Sequence, residues 1–312
     1  MTNMIQISSK FSPLDKEQIL KHFGGVDSNS LEKVLDFLDN DSEMEIIKHS
    51  PYFEIDHLPF NLKSSQPNLV AISLNAQSLT SKFNSLELIL RSLVDKEIEP
   101  DIIMIQESWV YGDDCPPHLQ LENYNAVAQG YRISTHGGLV TYLKPHLLAT
   151  KIDICSNTTV FEGLVLKVEN IEDKSMPSVI VSNIYKPPHN NNNRTNIEQF
   201  IEEITPLVNL CNNTNSEFLV GGDFNINLLK IHENSSYSEF LDTMFNNSLY
   251  PKITMPTRFS THSATLLDNF FCKFSDHTQI HLQVSSCLES QTISLILSVS
   301  MTSPSARNRA QN

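Results

Sequence analysis

The sequence contains no apolar run approaching the roughly 20 residues needed to cross a bilayer, and its first ten residues have neither the basic start nor the apolar core of a secretory leader. Both absences predict an intracellular protein of the nucleus or cytoplasm, not secreted and with no membrane partner. Cysteine is scarce. Cys115, Cys155, Cys211, Cys272 and Cys287 are far apart and form no CxxC pair, which favours reduced thiols over a disulfide framework or a zinc site. Positive charge is short as well, with 22 Lys and Arg against 36 Asp and Glu and a formal net charge of −14. That balance argues against a surface built for indiscriminate nucleic-acid binding, where clustered cations supply most of the affinity. It leaves a nuclease open, because a metal site needs carboxylates and a local basic rim can supply phosphate contacts.

What is present is a chain of 312 residues, enough for one domain of roughly 200 to 250 residues with an appendage. Residues 1–67 read as a small helical leader. Ser12 and Pro13 start a helix before LDKEQILKHF, Gly24 and Gly25 end it, and Leu31, Val34, Leu35 and Leu38 recur at helical spacing. From Asn68 the texture changes to short β-branched and aliphatic runs between polar connectors. LVAISLN, SKFNSLELILRSLVDKEIE and PDIIMIQESW read as strand, helix and strand, and GGLVTYLK, FEGLVLKVEN and SVIVSNIY as further strands. TNIEQFIEEITPLVNLC is an amphipathic helix, SEFLVGGDFN a strand, SEFLDTMFNNSLY a helix and ATLLDNFFCKF the last clear strand. Asn190 to Asn193 make a low-complexity loop, and residues 298–312 read as a disordered tail. The domain proper is therefore expected over 68–297.

Polar residues recur just beyond these apolar runs: Asn75 after VAISL, Glu107 after DIIMIQ, Tyr185 after SVIVSNI, Asp223 with Asn225 after EFLVGG, and Asp268 within ATLLDNFF. Any one alone is most simply a strand-end residue capping a loop. Repeated at strand ends, where sheets expose side chains to a common cleft, they predict a shared site. Phosphodiester hydrolysis needs an activated water, a cation to offset charge on the phosphoryl and leaving oxygens, and donors aimed at the transition state. Glu, Asp, Asn and Tyr supply those roles. Mg²⁺ commonly takes one or two carboxylates and keeps waters, which suits Glu107 and an acid such as Asp223. Gly221 and Gly222 let the backbone turn close to a ligand.

The ordered set LNAQSL, IQESW, NIYKPP, GGDFN, PTR and LLDN, spanning about residues 68 to 274, resembles the endonuclease/exonuclease/phosphatase family, and within it the endonuclease of LINE-type non-LTR retrotransposons. The resemblance implies a four-layered α/β sandwich: two mixed β-sheets packed face to face with helices outside. It also implies a DNA-nicking endonuclease using Mg²⁺ or Mn²⁺, with DNA as partner and a reverse-transcriptase domain of the parent element as a further one. By motif, Asn75 and Glu107 would line the metal site, with Glu107 the direct ligand, and Tyr185 would lie beside the scissile phosphate. Asp223 would orient or deprotonate the attacking water, Asn225 would donate to the phosphate, and Asp268 would orient a catalytic histidine. Thr257 and Arg258 of PTR would shape the DNA-facing loop, and Trp109 beside Glu107 reads equally well as packing. No reverse transcriptase follows in the sequence, so a fragment of a longer element or a solitary derivative is expected.

The family's closing Ser-Asp-His motif raises a difficulty. Ser275-Asp276-His277 is present, but His277 lies nine positions beyond Asp268. At about 3.3 Å per extended residue the two would lie roughly 30 Å apart, on opposite edges of the sheet. A turn and another strand would bring the chain back to the active edge near residues 290 to 297, where QTISLIL holds neither histidine nor acid. The expectation is therefore an incomplete C-terminal strand and catalytic loop, through a reading frame disturbed after about Gln283 or through decay. The alternatives to an active endonuclease are an inactive nuclease-fold fragment that only binds nucleic acid or protein, and a phosphatase of the same superfamily.

Overall fold

The computed structural model describes residues 52–54, 68–174, 176–188, 194–214, 216–253, 256–260, 263–273, 279–287 and 292–300. The helices expected before residue 50, the Asn190 to Asn193 loop and His277 lie outside the described residues. The first part of the chain forms β1 (Tyr52–Glu54), β2 (Asn68–Asn75), α1 (Leu79–Val94), β3 (Ile102–Gln106), β4 (Asn125–Gln129), β5 (Leu139–Leu143), β6 (Leu147–Lys151), β7 (Glu162–Asn170) and β8 (Val179–Tyr185). The remainder forms α2 (Arg194–Asn213), β9 (Glu217–Asp223), α3 (Ser235–Asn246), β10 (Tyr250–Pro251), β11 (Arg258–Ser260), β12 (Ser263–Thr265), β13 (Asp268–Lys273), β14 (Gln279–Cys287) and β15 (Thr292–Ser300).

Among the described residues these strands make two large mixed sheets. One runs β1-β14-β15-β2-β3-β5-β4 and the other β10-β13-β9-β8-β7-β6, with β11 and β12 as a separate pair. The period-2 alternation divides each strand between two cores. Met104, Leu139, Leu164, Val181, Leu219 and Phe270 fill the space between the sheets. Ile72, Ile103 and Tyr142 face outward against Leu79, Leu86 and Leu90 of α1. On the other flank Phe218, Val220 and Phe271 meet Phe200 of α2 and Phe240 of α3. The result is the expected four layers of helix, sheet, sheet and helices. Ser78 sets the start of α1, its side chain accepting the Ser81 backbone N–H at 3.4 Å.

A polar pin crosses the apolar space between the sheets. The Gln106 side-chain nitrogen donates to Asn183 Oδ1 at 2.6 Å and to Ser73 Oγ at 3.1 Å, while Asn183 Nδ2 donates to the carbonyls of Ile105 and Val140 at 3.1 and 3.2 Å. Three buried polar side chains and two carbonyls that satisfy one another hold the sheets in a single register where an apolar contact would permit sliding. The pin sits directly behind Glu107 and two residues before Tyr185.

Gly222 explains one half of the GGD run. Its φ is 144°, and a Cβ there would stand 1.9 Å from the Ile184 carbonyl oxygen, so no other residue fits where β9 crowds β8. At Gly221 a Cβ would meet Met104 Cε and Phe270 at 2.6 Å, which lets the two sheets close tightly under the strand end.

Four expectations need correction. The run ATLLDNFFCKF is not one strand: Leu266 N donates to Asn227 Oδ1 and Phe224 N to the Leu267 carbonyl, so the loop after β9 captures the chain there and divides it into β12 and β13. The C-terminal strands are not missing, since β15 pairs antiparallel with β2 from Leu295↔Ser73 to Ser300↔Asn68 and β14 pairs along β15. Ser298-Val299-Ser300 still alternates, which carries the strand into the segment read as a tail. The leader is also not wholly helical, because β1 pairs parallel with β14.

Candidate active site

β2 and β3 run parallel in one sheet, β8 and β9 parallel in the other, and β13 starts opposite the end of β9. This layout delivers the C-terminal ends of four strands and the beginning of a fifth to one edge. Asn75 ends β2, Glu107 follows β3, Tyr185 ends β8 opposite Asp223 at the end of β9, and Asp268 begins β13 opposite Asp223. The backbone at Glu107 and Asn225 is left-handed, with φ of 47° and 46°, an uncommon conformation for such residues that turns each side chain sharply off its strand.

The side chains are joined across the sheets. Asn75 Nδ2 donates to Glu107 Oε1 and to Asp223 Oδ2, both at 2.7 Å, so one amide ties the carboxylate of the first sheet to that of the second. Asp223 is fully buried; its Oδ1 accepts the Asn225 backbone N–H at 3.0 Å and its Oδ2 also accepts Arg258 Nη2. Asp268 Oδ2 accepts Thr257 Oγ1 at 2.7 Å and lies 3.4 Å from Arg258 Nε. The Tyr185 hydroxyl lies near enough to the Glu107 carboxylate to interact with it. The Asn225 side-chain nitrogen donates to the Lys186 carbonyl at 2.7 Å. All eight residues singled out in the sequence therefore belong to one connected cluster.

Burial sets the protonation tendencies. Desolvation, helped by the nearby Asp268, pushes the Asp223 carboxyl up, against the opposing pull of Arg258, Asn75 and the Asn225 N–H. Such a carboxylate holds a proton more tightly than a surface aspartate, as a proton acceptor requires. Burial, with Glu107 and Asp223 beside it, raises the Tyr185 phenol so far that it remains a neutral donor.

Asp268 is not met by a histidine among the described residues; Thr257 and Arg258 take that place. The Cys287 to Thr292 pairing puts the head of the β14 and β15 hairpin at the same end of its sheet as Asn75. That is where the chain was expected to return to the active edge, and residues 288–291 between them lie outside the described residues. Asn75, Glu107 and Asp223 offer oxygen donors, the hard set that suits Mg²⁺ or Mn²⁺ rather than zinc. Among the described residues no three His, Cys, Asp or Glu side chains gather into a metal-holding group.

Two participants went unnoticed in the sequence. Lys186, only 2% exposed, donates its backbone N–H to the Asp223 carbonyl at 2.9 Å, and burial pushes its ammonium down to about 8. Its signal was the lysine in YKPP directly after Tyr185. Glu162 accepts the backbone N–H groups of Gly138 at 2.6 Å, Arg132 at 2.8 Å and Ile133 at 3.1 Å, fastening the loop beside Glu107. A carboxylate at the head of the apolar run FEGLVLKV was the sign of it. Trp109 is 40% exposed and its ring also meets His136, so it combines a packed edge with a face open to solvent.

Among solved structures, the AP endonuclease LMAP from Leishmania major superposes with a TM-score of 0.56 at 14% identity, covering 86% of this chain and 99% of that one. The 3′ phosphatase NExo from Neisseria, bound to a product DNA hairpin, gives a TM-score of 0.54 at 15% identity, with 75% and 99% covered. The catalytic domain of APE2 from Xenopus laevis gives 0.51 at 14% identity, with 73% and 91% covered. At these identities the likeness is one of fold. No curated protein sequence matches significantly. The Endonuclease/Exonuclease/phosphatase family matches residues 72–277, more than half of the chain and the span that runs from β2 through β13 with every residue of the cluster inside it, and the chain belongs to that family.

Proposed function

We propose that the protein is a metal-dependent phosphodiester hydrolase that nicks DNA, the endonuclease of a LINE-type non-LTR retrotransposon. The observation that carries the reading is the Asn75 amide bridging Glu107 and Asp223, because it joins a metal-type carboxylate to a buried proton acceptor at one point between the sheets. Glu107 with Asn75 would hold Mg²⁺ or Mn²⁺, which when bound offsets charge on the phosphoryl oxygens. Asp223 accepts a proton from the attacking water, Tyr185 donates to a phosphate oxygen, and Arg258 with Asn225 lies beside the entering strand. The relatives named for AP endonuclease activity and for a bound DNA hairpin support DNA as substrate. The motifs NAQSL, YKPP and GGDFNINLL support the retrotransposon origin, with a reverse transcriptase as partner and a nuclear or cytoplasmic site of action.

The test is nicking of supercoiled plasmid in Mg²⁺ or Mn²⁺ beside an EDTA control and Asp223→Ala. Metal-dependent relaxation lost in the variant is expected; an Asp223→Ala protein that cuts as well as the parent would sink the proposal. A second reading, a nuclease fold without turnover, is favoured by one observation: Asp268 is occupied by Thr257 and Arg258 where a histidine donor is expected. One such donor contributes on the order of 10² to 10³ in rate. Absence of cutting while DNA still binds would establish that second reading.

A further inference from the structure

The loops around Glu107 carry an exposed aromatic cluster that the nicking chemistry does not use. Trp109 is 40% exposed and Tyr111 84% exposed, and both follow Glu107 within four residues. Trp109 packs edge-on against His136 with ring centroids 4.9 Å apart, and Tyr111 stands 5.9 Å from Tyr131. Large exposed rings on a floppy loop would need little explanation, but this loop is fixed. The Trp109 N–H donates to the Gly137 carbonyl at 2.9 Å, the Ser108 N–H to Gly138 at 3.0 Å and the Tyr131 N–H to Val110 at 3.2 Å. Arg132 Nη2 pairs with Asp113 at 3.1 Å. Trp109 itself is held at a left-handed φ of 57°, so the backbone that presents it to solvent is constrained.

Cα atoms two residues apart are at most about 7 Å distant, so the backbone that carries Trp109 lies within about two nucleotide steps of the backbone that carries Glu107, given the roughly 3.4 Å rise of a strand. The net charge of −14 limits what backbone neutralisation can supply, whereas stacking on a rigid ring needs no cation and tolerates any base. A base inside a duplex has both faces occupied and cannot use such a ring without leaving the stack. Building on the nuclease reading, we propose that Trp109 and Tyr111 form a stacking wall for an unpaired nucleobase next to the scissile phosphate, so that the preferred substrate is DNA with a single-stranded or frayed base at the cleavage position.

Trp109 is the single tryptophan of the chain, which makes its emission a direct reporter. The full chain in EDTA is titrated with a thymidine oligonucleotide, the same-length abasic strand and a blunt duplex, following tryptophan emission and the anisotropy of labelled strands. Quenching by the thymidine strand, with little change for the other two, is expected. The abasic strand should bind roughly 10-fold more weakly or worse. Trp109→Ala should show a similar loss and Trp109→Phe should retain most of the affinity, and the wild-type comparison of strands decides the matter should Trp109→Ala fail to fold. Equal affinity for thymidine and abasic strands, or binding without any change in emission, overturns the stacking wall. If metal-dependent plasmid nicking persists in that case, the nuclease reading stands without it; if binding and nicking are both absent, both fall.

Discussion

Arg258 lies between two carboxylates that would otherwise repel each other in a buried site, bonding Asp223 through Nη2 and approaching Asp268 through Nε. Removing one member of such a group leaves uncompensated buried charge, which costs about 3 to 5 kcal/mol. Arg258→Gln is therefore expected to lower stability by that amount near pH 8 in urea melts, with partial recovery near pH 5. The sign follows from Asp223: without the guanidinium its folded-state value rises further, and stability held by its protonated form is lost as pH rises through that value. Equal destabilisation at both pH values would contradict this account of the pair. Asp101, at the opposite end of the same sheets from the site, tests the same physics where no catalysis is involved. Burial raises its carboxyl from 3.8 to about 6, although Val70 N–H donates to it at 2.8 Å and His146 lies 3.4 Å away. A group raised in this way supports the fold fully below pH 3.8 and loses that support as pH climbs through 6. Asp101→Asn, which keeps an oxygen for Val70, should thus be more stable than the parent above pH 7 by up to about 3 kcal/mol, the difference closing toward pH 4. Thermal melts of the two proteins across that range check it.

At the level of elements, the cross-sheet pin makes a sharper prediction than any single strand. Asn183→Leu takes one of two partners from the buried Gln106 amide nitrogen and a donor from two carbonyls, and should cost about 3 kcal/mol by chemical denaturation. Adding Gln106→Leu should recover part of that loss, because removing both partners is cheaper than orphaning one; strictly additive losses would mean the pin does not act as a unit. The strands that carry the site were readable because their Val, Ile and Leu runs end abruptly in a polar residue, as at VAISL before Asn75 and EFLVGG before Asp223. Strands β4 and β6 were not, and both lie at sheet edges. Asn125-Ala126-Val127 and Leu148-Ala149-Thr150 are partly exposed, so burial never imposed a clean alternation on them. The catalytic residue types could be named from sequence, but their bonds could not: that Arg258 answers Asp223 and Glu162 answers Gly138 depends on register between segments 35 and 24 residues apart.

For the whole molecule, a charge of −14 has to coexist with a polyanionic substrate. Each phosphate neutralised by a protein cation steepens the salt dependence of binding by about 0.9 on duplex DNA and 0.7 on a single strand. The cations at the described site edge are few, chiefly Arg258 and the buried Lys186, with Arg132 spent on Asp113. Binding of metal-free protein to a single strand should then fall with a slope of log affinity against log salt no steeper than about −2, and long-range repulsion should make association slow at low salt and faster as screening grows. A steering protein would show the reverse trend in association rate. Stopped-flow association with equilibrium titration at several salt concentrations measures both quantities. A slope near −6, or association that slows as salt is added, would mean that a basic surface elsewhere on the chain captures the DNA, and that the acidic balance of the sequence is a poor guide to the face that meets the substrate.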